Sequence, residues 1–277
     1  MRVLYIGEIV GKAGVFCVKN LLPALREEKG VDFVIANGEG ATGGFGLGKN
    51  HSIYLHKLGI DTITIGECGF YKKDMVPHIP KASYILRPVN YPKGAPGRGW
   101  WIYEKEEEKI AVISVLGQSG FTRLHLANPF LFLPDLIERI KQDTGRIIVD
   151  FHATTTAEKK TLAYYLDGTV SGVIGSHFKV PTADEMISPK GTASITDAGR
   201  TGSNNSVMGL APHIEIQKYV SGIPERSEEV WDDLELQGVL IDIDTAGKAT
   251  HIERIKHPVD EEIWQNERNR DNSKNKR

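Results

Sequence analysis

Short apolar runs recur along this chain, and most are followed within a few residues by a carboxylate, a thiol or an imidazole. Residues 3–6, 33–36, 62–65, 110–115, 147–150 and 172–174 read as strands. Between them lie amphipathic stretches of helical spacing: 15–26, with Val15, Val18, Leu22 and Leu25 on one face, and 130–140, with Leu133, Ile137 and Ile140. Strand and helix in alternation predict an α/β sandwich. Strands apolar on both faces suit a sheet covered by helices, and in such sheets polar site residues gather beyond the carboxyl ends of the strands. Glu8, Glu39, Glu67 with Cys68, His152 and His177 all stand in that position.

The rest of the sequence narrows the class. With 277 residues, 40% of them hydrophobic and 25% charged, the chain can bury a sizeable core. A net charge of −2 supplies no global basic field, which disfavours nucleic acid as a partner except for weak contact through a basic C-terminal tail. Cys17 and Cys68 make no disulfide framework, and Cys17 falls on the apolar side of the first helix as a core residue. No apolar run approaches the ~18 residues needed to span a bilayer, so the reading is cytoplasmic with no membrane partner. Residues 1–256 are expected to form one domain and 257–277 a polar, solvated tail. Trp100 and Trp101, after the loop 93–99, offer a hydrophobic edge for homo-oligomerisation, with packing under the sheet as the alternative. The glycine-rich run 43–48 lacks the lysine–serine ending of a P-loop and reads as a flexible rim. The other histidines, His51, His56, His78, His125, His213, His251 and His257, match no ligand position.

Carboxylates converging on one cleft repel one another unless a cation, a proton or a hydrogen bond compensates, so a metal or a lysine is expected among them. Asn37-Gly38-Glu39, Arg87-Pro88-Val89-Asn90-Tyr91-Pro92, Asp150-Phe151-His152-Ala153, Thr156-Ala157-Glu158-Lys159, Gly175-Ser176-His177, Thr182-Ala183-Asp184-Glu185 and Pro189-Lys190-Gly191-Thr192 through Thr196-Asp197 follow in order. In sequence and spacing these resemble the YmdB-type metallophosphoesterases, from Met1 to about Gly222. The resemblance implies a four-layer α/β sandwich of the metallophosphoesterase type, holding two metals, often iron or manganese, and acting as a phosphodiesterase on cyclic nucleotides. Arg87 and Asn90 lie in a loop that either faces phosphate or braces the site.

Compared motif by motif, the chain departs from that family at its metal ligands. Where the family has Gly-Asp-x-x-Gly this chain has Gly7-Glu8-Ile9-Val10-Gly11, and Gly-Glu-Asn is replaced by Gly38-Glu39-Gly40. Gly-Asn-His becomes Gly66-Glu67-Cys68, and His-x-His becomes His177-Phe178-Lys179. The resemblance then implies that the first metal position retains Glu8 and Glu39 but meets Gly40, which has no ligand, and Lys179, whose ammonium repels a cation. Its absence is expected, with Lys179 lying between Glu8 and Glu39 in its place. The second position keeps Glu39, Glu67, His152 and His177, a set that suits one divalent iron, manganese or zinc ion. Cys68 stands where the family has its acid histidine, and losing a general acid typically costs about 10² to 10⁴ in rate.

The leading expectation is a metallophosphoesterase-fold protein with impaired or absent hydrolysis, binding one metal or a phosphorylated ligand and acting through a phosphorylated small molecule or protein partner. The alternative is a working metal-dependent phosphodiesterase on cyclic nucleotides, its site rebuilt around Glu8, Glu67, Cys68 and Lys179.

Overall fold

The computed structural model describes residues 1–121 and 124–275. Along the first half of the chain run β1 (Arg2–Ile6), β2 (Glu8–Ile9), α1 (Gly11–Glu28), β3 (Phe33–Asn37), α2 (Lys49–Lys57), β4 (Thr62–Thr64), β5 (Ile85–Leu86), β6 (Trp100–Lys105) and β7 (Glu108–Leu116). There follow α3 (Pro129–Ile140), β8 (Ile147–His152), α4 (Thr156–Tyr165), β9 (Gly172–Ser176), β10 (Met186–Ile187), β11 (Ala193–Ile195) and β12 (Arg200–Ser203). The chain closes with α5 (Pro212–Ser221), β13 (Leu234–Ile243), β14 (Ala249–Pro258) and α6 (Glu261–Asn275).

These strands build two sheets rather than one. An eight-stranded sheet has the order β2-β12-β13-β1-β3-β4-β5, with β14 paired to β13, and a six-stranded sheet runs β10-β11-β9-β8-β7-β6. The β1-β3-β4-β5 and β7-β8-β9 segments are parallel, so their carboxyl ends point one way within each sheet.

Period-two alternation along β1 explains the stacking. Leu4 and Ile6 join the core shared with Val15, Val18 and Leu22 of α1, while Val3 and Tyr5 turn the other way, into a core with Ile110, Ile148 and Ile174 of the second sheet. A third core packs Val149 and Phe151 of β8 against Leu133 and Ile137 of α3 and Leu162 of α4. The order helix, sheet, sheet, helix is the expected four-layer α/β sandwich. Helix α4 begins where the Thr155 hydroxyl accepts from the Glu158 N–H at 3.3 Å, and α3 where Asn128 accepts from the Phe130 N–H at 3.0 Å.

The expected departure from the fold at residue 257 is corrected by the structure. Strand β14 continues to Pro258, the Val259 N–H donates to the Leu234 carbonyl at 2.7 Å, and α6 follows with Trp264 only 6% exposed in the first core. One buried tryptophan anchors the start of a helix that is otherwise polar apart from the half-exposed Ile263. Lys276 and Arg277, the last residues of the expected tail, lie outside the described residues. Trp100 packs against the third core, whereas Trp101 is 42% exposed, with the Arg98 guanidinium 4.0 Å from its ring centroid. Among the described residues no helix is long and apolar enough to cross a membrane.

Candidate metal centre

The two sheets present their carboxyl ends to one cleft, and each contributes part of a cluster. Glu8 opens the short β2 just after β1, Glu39 and Glu67 come from the turns after β3 and β4, and His152 ends β8, with His177 directly after β9. The candidate ligands therefore straddle the junction of two sheets, not the edge of a single one.

The imidazole side is tightly drawn together. His152 Nε2 lies 2.8 Å from Glu67 Oε2 and 3.1 Å from His177 Nδ1, and His177 Nδ1 is 3.6 Å from Glu67 Oε1. Donor atoms of Glu67, His152 and His177 all fall within 4.8 Å of one another, and so do those of Glu39, Glu67 and Cys68. Glu39 is held from behind: its Oε2 accepts from the Gly66 N–H at 2.6 Å and its Oε1 from the Cys68 N–H. These contacts fix the turn that carries Glu67 and Cys68 against the carboxylate, and the Tyr91 hydroxyl braces the same turn by donating to the Gly66 carbonyl at 3.3 Å.

A buried polar network orients His152. Ser176 Oγ donates to Asp150 Oδ1 at 2.8 Å, so it is free to accept from His152 Nδ1 at 2.9 Å. Asn37 Nδ2 reaches Asp150 Oδ2 at 3.3 Å and Ser176 Oγ at 3.2 Å, and Asn37 Oδ1 accepts the Glu39 N–H at 3.0 Å. With Nδ1 engaged by Ser176, His152 turns Nε2 toward the cleft, the orientation an outer partner gives a metal-binding histidine. Asn37, Asp150 and Ser176 were not singled out as functional in the sequence. The available signal was a carboxylate and an amide inside otherwise apolar strands.

The other side of the cleft is different in kind. Lys179 Nζ lies 3.0 Å from Glu8 Oε1, with both side chains almost wholly buried. Gly40 makes room for this pair, because a Cβ there would stand 2.9 Å from Glu8 Oε1 and 2.9 Å from the Ile9 carbonyl. Longer stem, missing side chain and ammonium are thus three parts of one packing arrangement.

The turn that presents His177 and Lys179 is unusual in its backbone. His177 has φ of 106° and Lys179 of 61°, a region that non-glycine residues enter at a cost of about 1–3 kcal/mol each. Asp197 restrains it, accepting from the Phe178 N–H at 2.8 Å while ion-paired with Lys159 at 3.0 Å. Arg200 adds a hydrogen bond to the Lys179 carbonyl at 2.9 Å.

The electrostatics follow from burial and from crowding. Burial works to lower His152, but the carboxylates of Glu67, Glu39 and Glu8 overcome it and raise the imidazolium to about 9. Burial and the neighbouring His152 charge push His177 down to about 4. Burial together with Glu67 raises Glu39, while Glu67 is held below the ordinary carboxylate range because His152 and His177 outweigh its own burial. Burial alone would lower Lys179, yet Glu8, Glu39 and Glu67 raise it and keep it charged. Burial and the same three carboxylates push the Cys68 thiol up, so it stays protonated.

Arg87 and Asn90 are placed as braces and not toward phosphate. The Asn90 amide donates to the carbonyls of Leu116 and Ala127 at 2.8 and 3.2 Å and accepts the Leu116 N–H at 3.0 Å, which uses up its polar atoms. Arg87 bonds the carbonyls of Pro88 and Ala95 in its own loop. Of the unassigned histidines, His51 bonds Thr42 at 2.7 Å, and His56 stacks on Tyr84 with centroids 4.1 Å apart.

Whether metal suits these residues can be tested on the donor set. Glu67, His152 and His177 converge closely enough for one divalent ion to replace the protons shared between carboxylate and imidazole, and Glu39, with both oxygens accepting backbone N–H bonds, adjoins them through Glu67 and Cys68. Beside this set the Lys179 ammonium engages Oε1 of Glu8 at 3.0 Å and places a fixed positive charge against the carboxylate, whose Oε2 is buried with no hydrogen-bond partner among the described residues. Above the ligands opens a cleft of about 800 Å³ lined by Glu67, His177, Phe45, Tyr71, Lys72 and Phe121, among others.

A family model described as YmdB-like protein matches residues 4–255. The chain belongs to that family. It is 38% identical over 256 residues to a Bacillus subtilis protein named 2',3'-cyclic-nucleotide 2'-phosphodiesterase, covering 92% of this chain and 96% of the relative. A solved structure from Mycoplasma pneumoniae, described as a novel phosphatase, superposes with a TM-score of 0.88 at 32% identity, covering 96% of each chain. The NAD nucleotidase of Haemophilus influenzae shares the fold alone, with a TM-score of 0.60 at 12% identity over 94% of this chain and 56% of its own. The protein is therefore a metallophosphoesterase-family member, and the fold implies a divalent metal.

Proposed function

We propose that this chain is a metal-dependent phosphodiesterase acting on cyclic nucleotides with one divalent ion and one built-in ammonium. The observation that carries the reading is the charge balance of the cleft. Glu8, Glu39 and Glu67 bring three carboxylates and Lys179 one ammonium 3.0 Å from Glu8, so two negative charges remain for a single divalent cation when the histidines are neutral. The names of the Bacillus and Mycoplasma relatives support hydrolysis over the inactive alternative.

Glu39, Glu67, His152 and His177 would hold the ion, which when bound supplies Lewis acidity and an activated nucleophile. The chain's own residues do the remainder. Glu8 engages one N–H of Lys179, leaving further donors of the ammonium for a non-bridging phosphoryl oxygen, where a fixed positive charge stabilises developing negative charge. Phe121 faces both imidazoles, with its ring centroid 6.2 Å from that of His152 and 5.5 Å from that of His177, and limits the access of water. Cys68 offers a neutral thiol at the leaving-group side, a weak acid at neutral pH, which favours substrates whose leaving group departs readily, such as a strained cyclic diester.

That weak acid also favours a second reading: a protein that binds a phosphorylated ligand and acts through a partner without turnover. One experiment separates the two. Protein reconstituted with manganese, iron or zinc is assayed for bound metal and for hydrolysis of 2′,3′-cyclic adenylate and bis(p-nitrophenyl) phosphate, with His152→Ala alongside. One ion per chain and turnover lost in the variant are expected. Two ions per chain would overturn the charge balance, and a loaded protein with no turnover would leave only the binding role.

A further inference from the structure

The cleft has two walls for which the hydrolytic chemistry gives no reason. Phe45 is 43% and Tyr71 58% exposed, and both line the cavity that holds Glu67 and His177. Their placement follows from specific backbone features. Gly43, Gly44 and Gly46 take φ of 68°, 81° and 80°, which folds the loop back on itself through Thr42 N–H to Gly46 O at 2.9 Å and Gly44 N–H to Gly40 O at 3.0 Å. The loop is thus seated on Gly40, beside Glu8, and it brings the Phe45 ring centroid to 5.9 Å from Lys179 Nζ.

Tyr71 comes from the turn after the third strand of the site. Its N–H donates to the Cys68 carbonyl at 2.9 Å and its hydroxyl hydrogen-bonds the Cys68 thiol. The two segments pack on each other at Gly46, where a Cβ would stand 3.0 Å from the Cys68 carbonyl oxygen and 3.3 Å from Tyr71 Cβ. Both rings therefore have fixed bases, and both stand next to residues of the reacting centre.

We propose that Phe45 and Tyr71 form a nucleobase subsite that decides which phosphodiesters the centre accepts. This rests on the nucleotide phosphodiesterase reading above and adds the residues that discriminate. A phosphate drawn to Lys179 and the ligand set leaves the rest of the nucleotide to fill the cleft, where an aromatic face stacks on a base but gains little from a simple alkyl ester. The glycine-rich run, read from sequence as a flexible rim, is in this account the mount for one wall.

The test is equilibrium binding to the full-length, manganese-loaded protein by calorimetry, with adenosine 3′-monophosphate and base-free ribose phosphate as probes. Wild type is expected to bind the adenylate about tenfold or more tightly than the base-free probe. Phe45→Ala, Phe45→Leu and Tyr71→Ala should each weaken adenylate binding about tenfold, while Tyr71→Phe, which keeps the ring, should hold it. Equal affinity for the two probes, or alanine variants that bind adenylate like wild type, would overturn the subsite. So would Tyr71→Phe losing as much as Tyr71→Ala, since the hydroxyl and not the ring would then be responsible. Melting curves of each variant confirm that the exposed substitutions leave the fold intact. Because binding needs no turnover, ring-dependent adenylate binding without hydrolysis would reject the enzymatic reading alone, and hydrolysis with ring-independent binding would reject the subsite alone.

Discussion

The Lys179 ammonium lies 3.0 Å from the Glu8 carboxylate, in a pocket where each side chain is almost wholly withdrawn from water. A pair of this kind is stable only while both members are present, because removing one leaves an uncompensated buried charge.

Lys179→Met should therefore destabilise the metal-free protein by about 3–5 kcal/mol. Glu8→Gln combined with Lys179→Met should recover most of that loss, since the charge left behind is also gone. Urea melts of the two single variants and the double variant measure the coupling. A Lys179→Met protein as stable as wild type would show that the pair does not form.

Ser176 touches no proposed ligand atom of the cleft, yet it accepts from His152 Nδ1 at 2.9 Å and donates to Asp150 at 2.8 Å. Ser176→Ala should lower metal affinity about 10- to 100-fold by freeing the His152 ring. Competition against a chelating dye reads this directly, and an unchanged affinity would remove Ser176 from the centre.

Cys68→His replaces a weak acid with one whose ordinary pKa is about 6.5. Turnover of a 2′,3′-cyclic nucleotide should rise on the order of 10²-fold, whereas p-nitrophenyl esters, whose leaving group needs little protonation, should gain far less. An equal gain on both substrates would place Cys68 away from the leaving group.

Asp184 predicts an acid-dependent contribution to stability away from the cleft. It is paired with Lys160 at 2.5 Å and accepts from Thr182 Oγ1 at 2.6 Å and from the Thr196 N–H at 3.1 Å. Burial opposes ionisation, but Lys160, Thr182 and Thr196 outweigh it and hold the carboxyl well below its usual range. With the folded pKa depressed, the stabilisation is complete above the unfolded value of about 3.9 and is lost as pH falls toward the folded one. Asp184→Asn should lower Tm at pH 7, by about 2–4 °C for each kcal/mol lost, and the gap from wild type should narrow below about pH 4. A gap that stays constant from pH 7 to pH 3 would rule out the ionised carboxylate as its source.

Several of these features could be read from the sequence, for identifiable reasons. Glu8, Glu39, Glu67, His152 and His177 follow apolar runs short enough to be strands, and chain geometry brings the carboxyl ends of parallel strands together. Lys179 was legible only through the family resemblance, as the residue at the second histidine of His-x-His, since a lone lysine carries no periodic signal. That the ligands come from two sheets was not legible, because periodicity tells a strand from a helix and not which sheet the strand joins. The orientation of Arg87 and Asn90 depended on carbonyls of Leu116, Ala127 and Ala95, contacts that form only in three dimensions. Trp264 was not legible because it and its half-exposed neighbour Ile263 make no periodic apolar face in an otherwise polar helix, although one ring is enough to dock it.

Glycine at position 40 has a consequence for how such a protein meets scarcity. It leaves space for the Lys179 ammonium beside Glu8, and a cation carried on a side chain cannot dissociate, be chelated or be exchanged for a competing element. With the one ion proposed above, depletion of transition metal would empty the protein in a single step, with no half-filled form on the way.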